Sequence, residues 1–213
     1  MQVLVIPVTT FQQNCTLVWC ESSRHAVVID PGGDLERITE AIEQEGVELT
    51  QILLTHGHID HAGAAADLAE ALEVPIVGPQ REDQFWIDQL PEQSQLFQFP
   101  QARPFTPQHW LEEGDHIRFG EVVLEVLHCP GHTPGHVVFF HRESETAFVG
   151  DLLFKGSIGR TDFPRSDHQA LLNSIRNKLW PLGDEVLFIP GHGASSTFAA
   201  ERRDNPFVAD DLL

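Results

Sequence analysis

The stretch THGHIDHAG, residues 55 to 63, crowds three histidines and an aspartate into positions 56 to 61. Their spacing follows neither the period of two of a strand nor the 3.6 of a helix. It stands between QILL, a run of buried-strand type, and an Ala-rich run of helical type, so His56 and His58 lie on a strand-to-helix connection. A two-residue offset in extended backbone points both imidazoles the same way, while Asp60 and His61, at the turn into the helix, can aim elsewhere. One short loop can therefore serve two neighbouring cations, but a cation needs more donors than this loop holds.

The rest of the chain supplies them in one recurring style, an apolar run, a hard turn and a single donor. LHCPGHTPGH offers His132, TAFVGD ends in Asp151, and EVLFIPGHG ends in His192. His56, His58 and His132 would hold one ion, Asp60, His61 and His192 a second, with Asp151 bridging. Mixed nitrogen and carboxylate ligation with a position left for water marks catalytic centres, whereas closed structural zinc sites favour thiolates. Zinc is the first choice for the two divalent ions, and iron or manganese suit the same donors.

Strand-type runs recur along the chain (VLVIPV, TLVWC, AVVID, QILLT, PIVG, VVLEVLH, HVVFFH, TAFVGD, EVLFIPG), bounded by Gly, Pro, Asp or His. Among them the patterns predict three helices: one capped by Asp34 before Leu35, Ile38 and Ile42, one over 61 to about 73, and one opened by a Ser166/Gln169 capping box. The order of elements predicts an α/β layer fold with sheets at its centre. Residues 91 to 108, rich in Gln, Pro and Phe, read as a loop whose Phe97, Phe99 and Phe105 pin it to the body rather than forming a lid.

With 213 residues, no repeat and no Gly/Ser linker, the chain reads as a single domain, 1–213. Thirteen basic against 32 acidic residues give a formal charge of −19, which disfavours nucleic acid and anionic membrane as partners. Cys15, Cys20 and Cys129 do not pair off or form a zinc-ribbon spacing and suit a reducing compartment. The opening MQVLVIPVTT reads as a first strand rather than a leader, so a cytoplasmic location is expected. Lys155, Arg160 and Arg165 concentrate positive charge after Asp151, and Lys155 is the first candidate to hold an anionic substrate group, with Arg160 beside it. His128 and His136 flank the His132 turn and read as structural.

THGHIDH, the Gly-framed His132, GD at 150–151 and GH at 191–192 resemble the metallo-β-lactamase superfamily in order and spacing over essentially the whole chain. Within it, VIDPGG, CPGHTPGH, GDLLFKGSIGRTDFPRSDH and FIPGHG are most similar to the type II glyoxalases, the hydroxyacylglutathione hydrolases. The resemblance implies an αββα sandwich, two mixed sheets flanked by helices, with the metals at one edge. It implies the same seven ligands, and Asp30 as a supporting carboxylate nearby. It also implies hydrolysis of a glutathione thioester, S-D-lactoylglutathione to D-lactate and glutathione, by a hydroxide drawn from water between the metals. Asp60 reads first as a simple ligand and second as a group that orients that water. Full-length members carry a C-terminal helical domain whose basic and tyrosine side chains hold glutathione; this sequence has neither that domain nor any tyrosine. The main alternative is a mononuclear iron persulfide dioxygenase, which has a similar GRTDF segment.

Overall fold

The computed structural model describes residues 1–212. The first sheet begins as a meander of β1 (Gln2–Val8), β2 (Gln13–Trp19) and β3 (His25–Ile29), paired antiparallel. Two parallel strands, β4 (Glu48–Leu53) and the short β5 (Ile76–Val77), complete it in the order β1-β2-β3-β4-β5. Parallel neighbours need crossovers. These are α1 (Leu35–Glu45) between β3 and β4, then α2 (Ile59–Ala62) and α3 (Ala65–Leu72) between β4 and β5.

After α4 (Gln84–Asp88) and α5 (Leu90–Phe97), the chain enters the second sheet through β6 (His116–Phe119), β7 (Val122–His128), β8 (Val137–His141) and β9 (Thr146–Gly150). A small hairpin, β10 (Leu153–Phe154) and β11 (Ser157–Ile158), precedes α6 (His168–Ser174). The helix runs on as a π-helical turn over Ile175–Leu179. It returns the chain to β12 (Leu187–Pro190), parallel to β9, and β13 (Ser196–Thr197) and α7 (Phe198–Asp204) follow. The strand order is β13-β12-β9-β8-β7-β6.

Three hydrophobic clusters show how the layers stack. Val18, Val27, Ile29 and Leu53 of the first sheet meet Phe119, Leu124, Val126, Phe139 and Phe148 of the second, filling the space between the sheets. The other face of the first sheet, with Leu17, Val28 and Ile52, packs on Ile38 and Ile42 of α1 and Leu68 of α3. The other face of the second, with Val138, Phe140 and Phe188, packs on Leu171 of α6, Ile175, Leu179 and Phe198. Each central strand is thus covered on both faces and reads as a continuous apolar run. The result is the αββα arrangement expected. It also sets direction, because β3 and β4 run parallel, as do β9 and β12, while β7 runs with β9 across the intervening antiparallel β8. Val137 N–H of β8 donates to Thr55 O at the end of β4, joining the two sheets at the edge where these strands finish.

Several local expectations are corrected. The helix expected over 61 to 73 is two pieces, because Ala64 N–H turns away to Pro31 O and breaks the ladder after Gly63. The segment read as a loop from 91 to 108 begins as α5, where Pro91 sits in the first turn and needs no N–H partner; only 98–108 is irregular. Phe99 and Phe105 do pack on the body, and Phe97 and Phe99 stand edge-on to Phe11 at 5.9 and 5.0 Å. The strand β6, the hairpin β10–β11 and β13 were not foreseen, being too short to show a period. Asp34 precedes α1, but its carboxylate accepts from Thr9 N–H rather than from the helix. At α6 the cap is Asp167, which accepts from Ala170 N–H at 2.9 Å, while Ser166 Oγ donates to His132 O. Replacing Asp167 by Ala should lower stability by about 1 kcal/mol, the usual value of a helix cap. Thermal unfolding would read this as a drop in Tm of roughly 2–4 °C for a chain of this size.

Candidate metal centre

Every donor singled out in the sequence lies on a connection that leaves a strand end at this shared edge. Asp30 follows β3, the 56–61 loop follows β4, His132 lies beyond β7, Asp151 follows β9 and His192 lies two residues after β12. The fold brings all seven candidate ligands together. His56, His58 and His132 lie with one donor atom each within 4.8 Å of one another, and so do Asp60, His61 and His192. Asp151 stands between the groups: its carboxylate is 3.3 Å from His61 Nε2, and 3.7 Å from both His132 Nε2 and His192 Nε2. Asp60 Oδ2 is 3.1 Å from His192 Nε2 and 3.8 Å from His61 Nε2. Donors bound at about 2.0–2.2 Å around a tetrahedral ion lie roughly 3.3–3.6 Å apart, and these separations of 3.1–3.8 Å lie close to the edges of coordination polyhedra.

The outward nitrogens explain why the rings point inward. His132 Nδ1–H donates to Arg160 O at 2.8 Å and His192 Nδ1–H to Phe11 O at 3.2 Å. His61 Nδ1–H donates to Asp30 Oδ2 at 2.9 Å. Thr55 Oγ1 spends its only hydrogen on Asp30 Oδ2 at 2.6 Å, so its contact with His56 Nδ1 at 3.0 Å has the imidazole as donor. Carbonyls and carboxylates accept only. In the neutral form of all four rings the proton is therefore held on Nδ1, which leaves the Nε2 lone pair for a cation. His58 turns its Nδ1 inward, 3.0 Å from His132 Nε2, and the buried Nε2 atoms of His56 and His61 and Oδ1 of Asp151 find no hydrogen-bond partner in the protein. Unpaired buried acceptors are costly, and a cation satisfies them together.

Asp30, 2 % exposed, has φ 54°, a left-handed conformation that aspartate tolerates. Its carboxylate accepts from Thr55 N–H, Thr55 Oγ1–H and His61 Nδ1–H, so it orients one imidazole directly and a second through the hydroxyl. His136 stacks on His56 at 5.0 Å and accepts from Asp151 N–H, a structural role. Burial and neighbouring imidazoles hold His56, His58 and His136 well below the usual histidine range, as neutral rings. His61 goes the other way: burial works against its charge, but Asp151 and Asp60 carry it well above that range. Burial likewise opposes ionisation of Asp151, yet His61, His132 and His192 keep its carboxylate ionised far into acid.

The basic residues are less uniform. Lys155 stands exposed in the turn of the β10–β11 hairpin. The Arg160 guanidinium is paired with Asp162 at 2.8 Å and lies over Phe163 at 4.6 Å, whose ring is 4.9 Å from that of His58. Arg165 stacks on Phe85 instead.

Sequence reasoning missed Asp83. Fully buried at the end of a 3₁₀ turn, it accepts from Gly57 N–H, Gly135 N–H and Thr133 Oγ1–H. Only a carboxylate in REDQF signalled it, and a carboxylate before a helix ordinarily reads as solvated. Burial raises its pKa to about 6, though the three donors partly offset this. The folded chain then binds this proton more tightly than the unfolded one, so Asp83 contributes stability at low pH that is lost as pH rises from about 4 through 6. In metal-free protein, the stability of wild type minus that of Asp83→Asn should be greater at pH 5 than at pH 7 by about 1 kcal/mol, measured by urea unfolding.

The model of the metallo-β-lactamase superfamily matches residues 8–192. A hydroxyacylglutathione hydrolase of Haemophilus influenzae, GloC, is 47% identical over 209 residues, spanning 98% of each chain. Among solved structures, the B3 metallo-β-lactamase BLEG-1 is 33% identical with a TM-score of 0.89, over 97% of this chain and 99% of its own. The di-iron-bound form of TTHA1623 is 38% identical with a TM-score of 0.88, over 96% and 100%. On this match and the convergence of His56, His58, Asp60, His61, His132, Asp151 and His192 at one sheet edge, the chain belongs to the metallo-β-lactamase superfamily.

Proposed function

We propose that the chain is a binuclear metallohydrolase that cleaves the thioester of a glutathione conjugate, with S-D-lactoylglutathione as its substrate. The observation that carries this reading is the convergence of five imidazoles and Asp60 around Asp151, two triads of donors beside one carboxylate. His56, His58 and His132 would hold one cation and Asp60, His61 and His192 the other, with Asp151 common to both. Zinc is assigned first, and the same imidazole and carboxylate donors accept iron or manganese. Divalent cations so bound supply Lewis acidity, polarising a carbonyl and bringing the pKa of coordinated water from 15.7 to about 7.

The chain's own groups do the rest. Asp60, with Oδ2 at the edge of the cluster and a side chain 13% exposed, orients the attacking water. A departing thiolate has a pKa near 8.5 and needs little protonation, so no separate general acid is called for. Lys155 offers its ammonium to a carboxylate of the glutathione moiety, and Arg160 with Phe163 forms the wall beside His58. The likeness to GloC over nearly the full length of both chains supports the choice of substrate class. No helix among the described residues is long and apolar enough to cross a membrane, and the −19 charge argues against a nucleic-acid partner. We place the enzyme in the cytoplasm on the strength of its three unpaired, buried cysteines.

Metal content and S-D-lactoylglutathione hydrolysis measured on one preparation test the reading. Two ions per chain and turnover are expected, with kcat/KM falling by more than about 100-fold in His56→Ala and Asp151→Ala, beyond what loss of a supporting contact costs. Thioester cleavage surviving in both variants would sink it. Oxygen uptake with glutathione persulfide at one iron per chain would replace it by the dioxygenase. Lys155→Ala should raise KM about fivefold with kcat unchanged, as loss of one exposed ion pair would.

A further inference from the structure

We infer that Asp83 is a positioning residue that sets the separation of the His56–His58 loop from His132, and so the affinity of the first cation subsite alone; this rests on the functional reading above. Asp83 is not among the candidate ligands. Its Oδ2 accepts from Gly57 N–H at 2.9 Å, between His56 and His58, and from Thr133 Oγ1–H at 2.7 Å, next to His132. Its Oδ1 accepts from Gly135 N–H at 2.6 Å. One carboxylate thus ties together the two loops that carry all three donors of that subsite, loops more than 70 residues apart.

The surroundings are shaped for this contact. A Cβ on Gly57 would meet Trp86 Cβ at 2.8 Å, and one on Gly135 would meet Asp83 Cβ at 2.8 Å. At Gly57 and Gly135 the two backbones come close against the 80–86 segment, and Gln80 N–H adds a bond to Gly135 O. An apolar residue would fill the volume of Asp83 but leave three buried donors unpaired. The carboxylate is kept despite the unfavourable burial of its charge, which a packing role alone does not require.

The other triad is held differently. His61 is oriented by Asp30 and His192 by Phe11 O, and neither bond involves Asp83. Loosening Asp83 therefore separates His58 from His132 without moving the frame of the second subsite. Loss of a contact that orients a ligand typically weakens metal binding by about 10–100-fold.

The test uses the zinc-loaded full chain, as wild type, Asp83→Asn and Thr133→Val, dialysed against graded chelator, with zinc counted by mass spectrometry and Tm followed in parallel. Wild type is expected to keep two equivalents over a range where Asp83→Asn keeps one, the first equivalent being about 10–100-fold weaker and the other unchanged. Thr133→Val, which removes one of the three donors, should shift the same equivalent less, and it carries the test if Asp83→Asn does not fold. Both equivalents retained at wild-type affinity, or both lost in parallel with Tm, would overturn the inference while leaving the metal reading intact. A wild-type chain that holds no zinc, iron or manganese would overturn that reading, and the inference with it.

Discussion

The structure turns on a buried electrostatic problem. Five imidazoles and two carboxylates meet at one sheet edge, most of them out of contact with water, and unpaired polar groups in such surroundings are costly. Asp151 shows how the chain lives with this: its negative charge sits among His61, His132 and His192 and stays ionised despite burial. His56 and His58 stay neutral. What remains is a ring of lone pairs around one shared carboxylate, and a positive ion is the species that satisfies them all.

That arrangement depends on the frame outside the ring. Imidazole has two nitrogens, and which one carries the proton is decided by the bond the other side makes. Here those bonds come from unlike places: a carboxylate after β3, a threonine hydroxyl after β4, the carbonyl of Arg160 and the carbonyl of Phe11 in the β1–β2 turn. Both sheets contribute. The sandwich can do this because the parallel pairs β3/β4 and β9/β12 end at one edge, a direction imposed by the crossover helices.

The legible parts of the molecule were those where a residue type announces its own use. His56, His58, Asp60 and His61 stand in a spacing no regular element needs, and Gly or Pro frames His132, Asp151 and His192 as turns after apolar runs. The long strands were equally plain, since burial on both faces writes an unbroken apolar run. Short elements were not. The helix Leu90–Phe97 passed for a loop because its buried face uses Gln93 and Ser94 beside Leu90. At α6 the Ser166/Gln169 pattern points one residue too early, because the adjacent Asp167 is the residue whose carboxylate accepts from Ala170 N–H.

Sequence alone settled the kind of chemistry: which donors exist, that thiolates are not among them, and that each follows a strand. Tertiary structure decided the rest, because convergence is a property of distance through space. It grouped the donors into two triads about Asp151, selected the proton-bearing nitrogen of four of the five rings, and gave Arg160 a carboxylate partner while leaving Lys155 exposed. It also found Asp83, a residue whose role exists only in the fold. A carboxylate is silent in a sequence until the donors it accepts from, here 26 to 52 positions away, are folded against it.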